Sequence, residues 1–322
     1  MELACFLPNV ARMNDWTSET VPALLRIAAV TTATPDIDAT ERIYADYLGL
    51  RTVERAAVSE SLAQSWGCPA ASGAAMVTML PEGESDVFFR FVEAPAPDGY
   101  RPLTTFGWNA WEVIVDDVHS LATRFPDSPF RVIGEPRPLQ FMPSIVAMQV
   151  AGPASECLYF TMESGDRDSS ILPPPSGFVG RPFIVVAAGE AFEPLLRFYV
   201  DRFQLRERPV RQSKVQVVQD AQSLDREQTI ELSAIGMRQR GNLLELDAYP
   251  NGEGYVAGPR PRAAGHLPPG NAIASFEVED LQSCLDMAIA SPERRQEAVY
   301  SGRRACSFTG PGGELVELIE AD

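Results

Sequence analysis

The sequence has few of the side chains that most metal enzymes and nucleic-acid-binding proteins need. Its 322 residues include only two histidines, His119 and His266, which limits zinc sites, iron sites and histidine-based triads. The formal net charge is −17, so the chain lacks the basic surface that nucleic acids and anionic membranes attract. We therefore expect a small-molecule partner and neither nucleic acid nor membrane.

Long apolar runs and paired cysteines are also missing. No run approaches the ~18 apolar residues of a membrane helix, and the first residues lack the basic and apolar segments of a signal peptide. The five cysteines are scattered and have no CxxC spacing. There is no P-loop, GxGxxG, GxSxG or HExxH motif. These features favour a cytoplasmic protein with reduced thiols.

The sequence does contain an internal repeat. Segment 164–179 is polar, includes three consecutive prolines and lies at the midpoint, so it predicts a linker between domains 1–163 and 180–322. In each half, an apolar run precedes a segment with helical spacing and then a strand. Tyr44 and Tyr199 occupy equivalent positions in these segments, 155 residues apart.

A second unit of the same kind follows in each half, with Val115 and Val278 at equivalent positions. Every quarter begins with a strand, continues with a helix and ends with about three strands, which predicts an α+β fold of repeated βαβββ units. The predicted quarters are 24–93, 104–163, 180–250 and 271–322.

The repeat resembles the vicinal oxygen chelate superfamily, which includes glyoxalase I, extradiol dioxygenases and bleomycin-resistance proteins. The residues that carry the resemblance are DIDATERIYADYLGL, VDDVHSLATRF and GPGGELVELIE, in the first, second and fourth quarters. The resemblance implies four βαβββ modules paired into two glyoxalase-like, cup-shaped domains, one in each half of the chain. The concave face of each cup is then the expected ligand site.

In this superfamily the metal ligands come from the first strand and the last strand of each module. The first-strand position corresponds here to Ala29, Ala110, Ile184 and Ile273. The last-strand position corresponds to Arg90, Phe160, Glu245 and Glu317. The resemblance therefore leaves no histidine ligand, and we expect no metal cofactor of the usual kind. A divalent metal held by oxygen ligands at Glu245 and Glu317 stays open.

In the cup expected from the first half, strand alternation turns Glu112 and Arg90 towards the same cavity. One hypothesis makes Glu112 a general base and Arg90 the group that holds an anionic oxygen. The other makes them a buried salt bridge in the place of a lost metal.

In the cup expected from the second half, Glu245, Glu277 and Glu317 are predicted to converge with Ser275. Clustered carboxylates suit acid–base chemistry on a carbon acid, and the alternative is that they are exposed remnants of an older site. His266 lies just before the first strand of the fourth quarter. It is either a group at the rim of this cup or an ordinary loop histidine.

Large apolar side chains are frequent in the first half and predict an apolar or aromatic ligand. Phe141 is expected to cover the cavity as part of a lid. The predicted wall residues are Phe88, Trp111, Phe141, Met148 and Phe160.

These observations favour a metal-independent or atypical lyase or isomerase that acts on a small apolar carbonyl or aromatic compound. Proton transfer is assigned to Glu112 with Arg90, or to Glu317 with Glu245. The alternative is a binding or sequestering protein of the bleomycin-resistance type, without catalysis. An extradiol dioxygenase fits the length, but its iron would need two histidines. A homodimer stays open.

Overall fold

The computed structural model describes residues 21–140 and 142–322. Over these ranges the predicted repeat is confirmed: four modules follow one another, each with four strands. The first module contains β1 (Leu24–Thr34), α1 (Ile37–Leu48), β2 (Arg51–Ala57), α2 (Glu60–Ser65), β3 (Ala75–Leu80) and β4 (Phe88–Glu93). The second module contains β5 (Gly107–Val115), α3 (Val118–Ala122), β6 (Arg131–Pro138), β7 (Ile145–Ala151) and β8 (Cys157–Glu163).

The second half repeats this order with a shorter last module. The third module contains β9 (Val179–Gly189), α4 (Phe192–Phe203), β10 (Arg211–Ser213), α5 (Gln216–Gln222), β11 (Ile230–Gly236) and β12 (Leu243–Ala248). The fourth module contains β13 (Gly270–Val278), β14 (Glu293–Arg294), β15 (Arg304–Thr309) and β16 (Leu315–Glu320). Short 3₁₀ turns lie at Pro69–Ala71, Arg167–Ser169 and Gln282–Cys284.

The longer helices begin and end where the sequence predicts. The Asp36 side chain accepts a hydrogen bond from the backbone N–H of Ala39 and caps α1. Gly49 follows α1 with a φ of 73°, a left-handed conformation that glycine adopts without steric cost. The helix expected in the fourth module is wrong, because that segment forms only the turn Gln282–Cys284. There the Asp280 side chain accepts from the Gln282 N–H, which favours a turn over a continued helix.

The strands form two curled eight-stranded sheets. In the first sheet the order is β14-β15-β16-β13-β1-β4-β3-β2, and in the second it is β10-β11-β12-β9-β5-β8-β7-β6. Each sheet therefore joins one module from each half of the chain. We call the concave face of the sheet of modules one and four the outer cup, and that of modules two and three the inner cup.

The prediction that each half of the chain forms its own cup is therefore wrong. The antiparallel pairs that join modules are β1 with β13 and β5 with β9, and segment 164–179 connects two modules of the same cup. Modules within one half contact each other through buried hydrogen bonds: Tyr44 of α1 donates to Glu156 over 2.6 Å, and Tyr199 of α4 donates to Glu314 over 2.7 Å.

The apolar side chains form three clusters that follow this arrangement. The largest contains the inner faces of α1, α3 and α4 together with strands of both sheets. A second fills the outer cup, and a third lines the inner cup. Among the residues that the structure describes, no helix is long and apolar enough to span a membrane.

Candidate functional site

The centre of each cup is formed by four equivalent positions, on the two central strands and on the two strands hydrogen bonded beside them. In the outer cup these positions are occupied by Thr31, Arg90, Ser275 and Glu317. In the inner cup they are occupied by Val186, Glu245, Glu112 and Tyr159. The two sets differ in charge and in exposure.

In the outer cup, Arg90 and Glu317 form a buried ion pair. The Arg90 Nη2 lies 2.9 Å from Glu317 Oε2, and each side chain is 1% exposed. Arg90 also donates to the Tyr300 hydroxyl over 2.7 Å and to Thr31 Oγ1 over 2.8 Å. The guanidinium carbon lies 4.8 Å from the centre of the Trp66 ring, a cation–π distance.

The Glu317 carboxylate is equally well satisfied. It accepts from Trp66 Nε1 over 2.8 Å, from the Tyr300 hydroxyl over 2.6 Å and from Ser275 Oγ over 2.6 Å. Burial alone would raise the pKa of Glu317, but the Arg90 charge and these hydrogen bonds bring it below its usual value. The ion pair and its hydrogen-bond partners therefore occupy the centre of the outer cup. Trp66, which follows α2, contacts both charged groups.

The predicted meeting of Arg90 and Glu112 is wrong. The two residues belong to different sheets because module one pairs with module four, and the partner of Arg90 is Glu317. The hypothesis of a buried salt bridge describes Arg90 well, with a different carboxylate.

In the inner cup, strand alternation places Glu112 as the sequence predicts. Its neighbours Trp111 and Val113 belong to the shared core, whereas Ala110 and Ile114 belong to the inner-cup cluster. Thr161 Oγ1 donates to Glu112 Oε1 over 2.5 Å, and the side chain stays partly exposed. Burial, and then the charge of Glu245, raise the pKa of Glu112 to about 8.

Two further carboxyls follow each other along β12 on the same concave face. Leu244 and Leu246 point into the shared core, so Glu245 and Asp247 point into the inner cup. Burial raises the pKa of Glu245 to about 7. Burial, and then the charge of Glu245, raise the pKa of Asp247 well above its usual value.

Two polar atoms of the inner cup have no partner. Within the described part of the chain, Asp247 Oδ1 and the Tyr249 hydroxyl are buried and accept or donate no hydrogen bond. Buried polar atoms are normally paired, so these two can accept a partner from a molecule bound in the cup.

The donor set does not fit the divalent metal that the resemblance implies. No histidine or cysteine occupies any of the eight central positions. Over residues 21–140 and 142–322, no group of three or more His, Cys, Asp or Glu side chains could hold a metal ion. Glu245 and Glu317 lie on different sheets, so these two carboxylates do not together form the oxygen-ligand site that the sequence left open.

The predicted convergence of three glutamates with Ser275 is likewise wrong. Only Glu317 and Ser275 meet, over 2.6 Å. Glu277 forms ion pairs with Arg26 and Arg303 over 2.6 and 2.9 Å, and Glu245 belongs to the other cup.

Most of the predicted wall residues lie in the core. Phe160 packs against Phe125 at a ring distance of 5.8 Å, so its neighbour Tyr159 takes the last-strand position in the inner cup. Trp111 and Met148 are fully buried in the shared core. Phe88 fills the outer cup, and Phe141 lies outside the described residues.

His266 is placed in the loop before β13. Its carbonyl accepts from Arg262 Nε over 2.5 Å, and its Nδ1 is buried without a partner among the described residues. No hydrogen bond in the described part of the chain connects it with Arg90 or Glu317, which leaves its predicted role at a cup rim a prediction.

Sequence reasoning missed Tyr159, Thr161, Asp247 and Tyr249 in the inner cup, and Trp66 and Tyr300 in the outer cup. For Asp247 and Tyr249 a signal existed: in LLELDAYP they follow Glu245 at alternate positions.

Comparison with solved structures confirms the glyoxalase-like fold. Glyoxalase I from Zea mays superposes with a TM-score of 0.59 at 14% identity, covering 92% of this chain and 92% of that chain. A protein named as a "putative dioxygenase" from Bacillus subtilis gives 0.60 at 14% identity, covering 93% and 86%. No family model and no curated protein matches the sequence. At this identity the similarity establishes the fold, and the chemistry has to be argued from the two cups.

Proposed function

We propose that the inner cup binds a small carbonyl compound and transfers a proton on it, so that the protein acts as a metal-independent lyase or isomerase. The observation that carries this proposal is the pair Glu112 and Glu245. Both side chains face the cup and stay partly exposed, and their pKa values are raised to about 8 and about 7. A general acid or base works best when its pKa lies near the working pH.

Glu112 has the higher pKa and is the stronger base, and Glu245 is the stronger acid. The reactive state has Glu112 ionised and Glu245 protonated.

In that state Glu112 removes a proton from the carbon next to the substrate carbonyl. The C–H electron pair becomes a C=C bond, and the carbonyl oxygen takes the proton of Glu245, which gives a neutral enol. An isomerisation is completed when Glu112 returns its proton to another carbon and the enol O–H proton goes back to Glu245. An elimination is completed when a leaving group departs from the β-carbon and the enol O–H proton goes back to Glu245. The Thr161 hydroxyl holds Glu112 in position.

The test is deuterium exchange on a panel of small aryl and alkyl ketones, aldehydes and 2-hydroxyketones in D₂O, followed by ¹H NMR. We expect exchange with the wild-type protein and a loss of at least ~100-fold in Glu112→Gln. Glu231→Gln is the matched control, since Glu231 is exposed on β11 and faces away from the cup; it should exchange like the wild type. Full exchange in Glu112→Gln would overturn the assignment.

Binding without catalysis is the second candidate. It is favoured by the apolar side chains that stay partly exposed around the carboxyls, namely Ile133, Tyr159, Leu232 and Ala234. If members of the panel bind in the inner cup and are recovered with all their α-protons, this candidate replaces the first.

A further inference from the structure

Three carboxyls, Glu112, Glu245 and Asp247, share the concave face of the inner cup. Within the described part of the chain, no cation lowers the pKa of any of the three; burial raises all of them, and the charge of Glu245 adds to this for Glu112 and Asp247. Burial raises the pKa of the neighbouring Tyr249, and the positive charge of Arg260 partly opposes this. Its guanidinium is already bound by Thr105 Oγ1 and by the carbonyls of Asn271 and Trp108.

In the outer cup, the carboxylate charge at the equivalent positions is neutralised by an arginine of the same chain. Arg90 stands at the position equivalent to Glu245, and its side chain reaches across β1 to Ser275 and Glu317 on the far strands. The inner cup has Glu245 at this position, so among residues 21–140 and 142–322 the equivalent position supplies no cation.

Independent evidence for a missing group comes from Asp247 and Tyr249. Their side chains are 3% and 1% exposed, and Asp247 Oδ1 and the Tyr249 hydroxyl lack partners within the described residues. Burying an acceptor without a donor destabilises the folded protein, so these atoms favour a bound group that supplies a donor. An N–H donor carrying positive charge satisfies Asp247 and can lie against the tyrosine ring.

The spacing of the carboxyls favours an organic cation over a metal ion. Glu112 on β5 and Glu245 on β12 have β9 between them, which separates their backbones by about 9–10 Å. No three carboxyls of the described chain lie close enough to surround one metal ion.

We infer that the ligand of the inner cup carries an ammonium or guanidinium group that pairs with Asp247, with its apolar part against Leu232, the residue paired with Asp247 across β11 and β12. This inference rests on the inner cup as the site of the proposed function. Under that function the substrate is a carbonyl compound that also bears an amine or guanidine.

The probe is benzylammonium, compared by isothermal titration with its neutral analogue benzyl alcohol and with Mg²⁺. We expect one benzylammonium per chain, bound at least ten times more tightly than benzyl alcohol, and no saturable Mg²⁺ site. Asp247→Asn should weaken benzylammonium at least tenfold, and the control Glu231→Gln should leave its affinity unchanged. Circular dichroism and thermal melts confirm that each variant is folded.

Equal affinity for the charged and neutral probes would overturn the inference. Benzylammonium binding that is unchanged in Asp247→Asn would also overturn it, as would no binding up to 20-fold above the ~1 mM expected for a fragment of this size. Saturable Mg²⁺ binding that depends on Glu245 would replace the organic cation by a metal.

The deuterium-exchange panel separates this inference from the proposed function when aminoketones are added to it. Exchange that depends on Glu112 but shows no preference for the aminoketones overturns the inference and keeps the function. Benzylammonium binding as expected, with no exchange on any compound, keeps the inference and overturns the function.

Discussion

The two cups are built from equivalent positions and have opposite interiors. In the outer cup, Arg90 neutralises Glu317 inside a network whose ionic side chains are 1% exposed. In the inner cup, Glu245 replaces the arginine, and Glu112 and Tyr159 beside it stay partly exposed. The same curled sheet therefore holds a buried ion pair in one cup and carboxyls with raised pKa values in the other.

The comparison indicates that the charge at one strand position, Arg90 in one cup and Glu245 in the other, decides whether the carboxyls of a cup are neutralised. An arginine reaches the far strands and lets every carboxylate oxygen find a donor, which removes any need for a ligand. With a glutamate at that position, burial raises the pKa of the inner-cup carboxyls, and the charge of Glu245 raises those of Glu112 and Asp247 further.

The largest effect should come from breaking the outer cup with Arg90→Met. Removing one partner leaves the Glu317 charge buried and unpaired, which costs about 3–5 kcal/mol. Urea denaturation at pH 7 should show this loss of unfolding free energy. Arg197→Met is the control, because Arg197 pairs with Glu193 and Glu207 at the surface and should change stability little.

Adding Glu317→Gln to Arg90→Met should recover much of the loss, since the amide keeps a hydrogen-bonding group for Tyr300 and Trp66 without the buried charge. An Arg90→Met variant as stable as the Arg197→Met control would show that the outer network is not what holds this cup together.

The sequence predicted the modules well because their signals are local. Helical spacing, the Asp36 cap and Gly49 define α1, and strand alternation places Glu112 in a cup. Which modules pair depends on contacts between strands far apart in the chain, such as β1 and β13, and alternation within a strand carries no information on its partner. The equivalent Tyr44 and Tyr199 were visible in the sequence, but their partners Glu156 and Glu314 were not.

The site was harder to predict for two physical reasons. A shift of one residue in a strand turns a side chain to the opposite face, which exchanged Tyr159 for Phe160. The prediction that Arg90 meets Glu112 assumed that modules one and two pair with each other. It is wrong because module one pairs with module four. The raised pKa values of the inner cup follow from that pairing as well, since Glu112 and Glu245 come from different halves.

A smaller effect should appear in the pH dependence of stability in Glu112→Gln. Native Glu112 keeps its proton up to about pH 8, whereas the unfolded chain loses it near 4.5. The wild type therefore loses stability as the pH rises through this window, and the glutamine variant has no such proton to lose. The variant should match the wild type near pH 4 and exceed it by on the order of 1–2 kcal/mol at pH 8–9.

Urea denaturation at several pH values measures this difference. For the exposed control Glu231→Gln, the difference in stability from the wild type should not grow between pH 4 and pH 9. A difference between Glu112→Gln and the wild type that is the same at pH 4 and pH 9 would mean that Glu112 is ionised in the native protein at neutral pH, and the contrast between the cups would lose its basis.

The smallest effect is the change that Glu245→Gln should cause in the pKa of Glu112. It is also the most direct test of the difference between the cups. Burial is the larger cause of the raised pKa of Glu112 and the charge of Glu245 the second, so removing that charge should lower the pKa without returning it to 4.5. Carbon-13 NMR of labelled glutamate side chains follows the titration directly. Glu317→Gln, in the other cup, should leave the Glu112 titration in place. An unchanged pKa in Glu245→Gln would mean that the two carboxyls titrate independently, and burial alone would then distinguish the inner cup from the outer one.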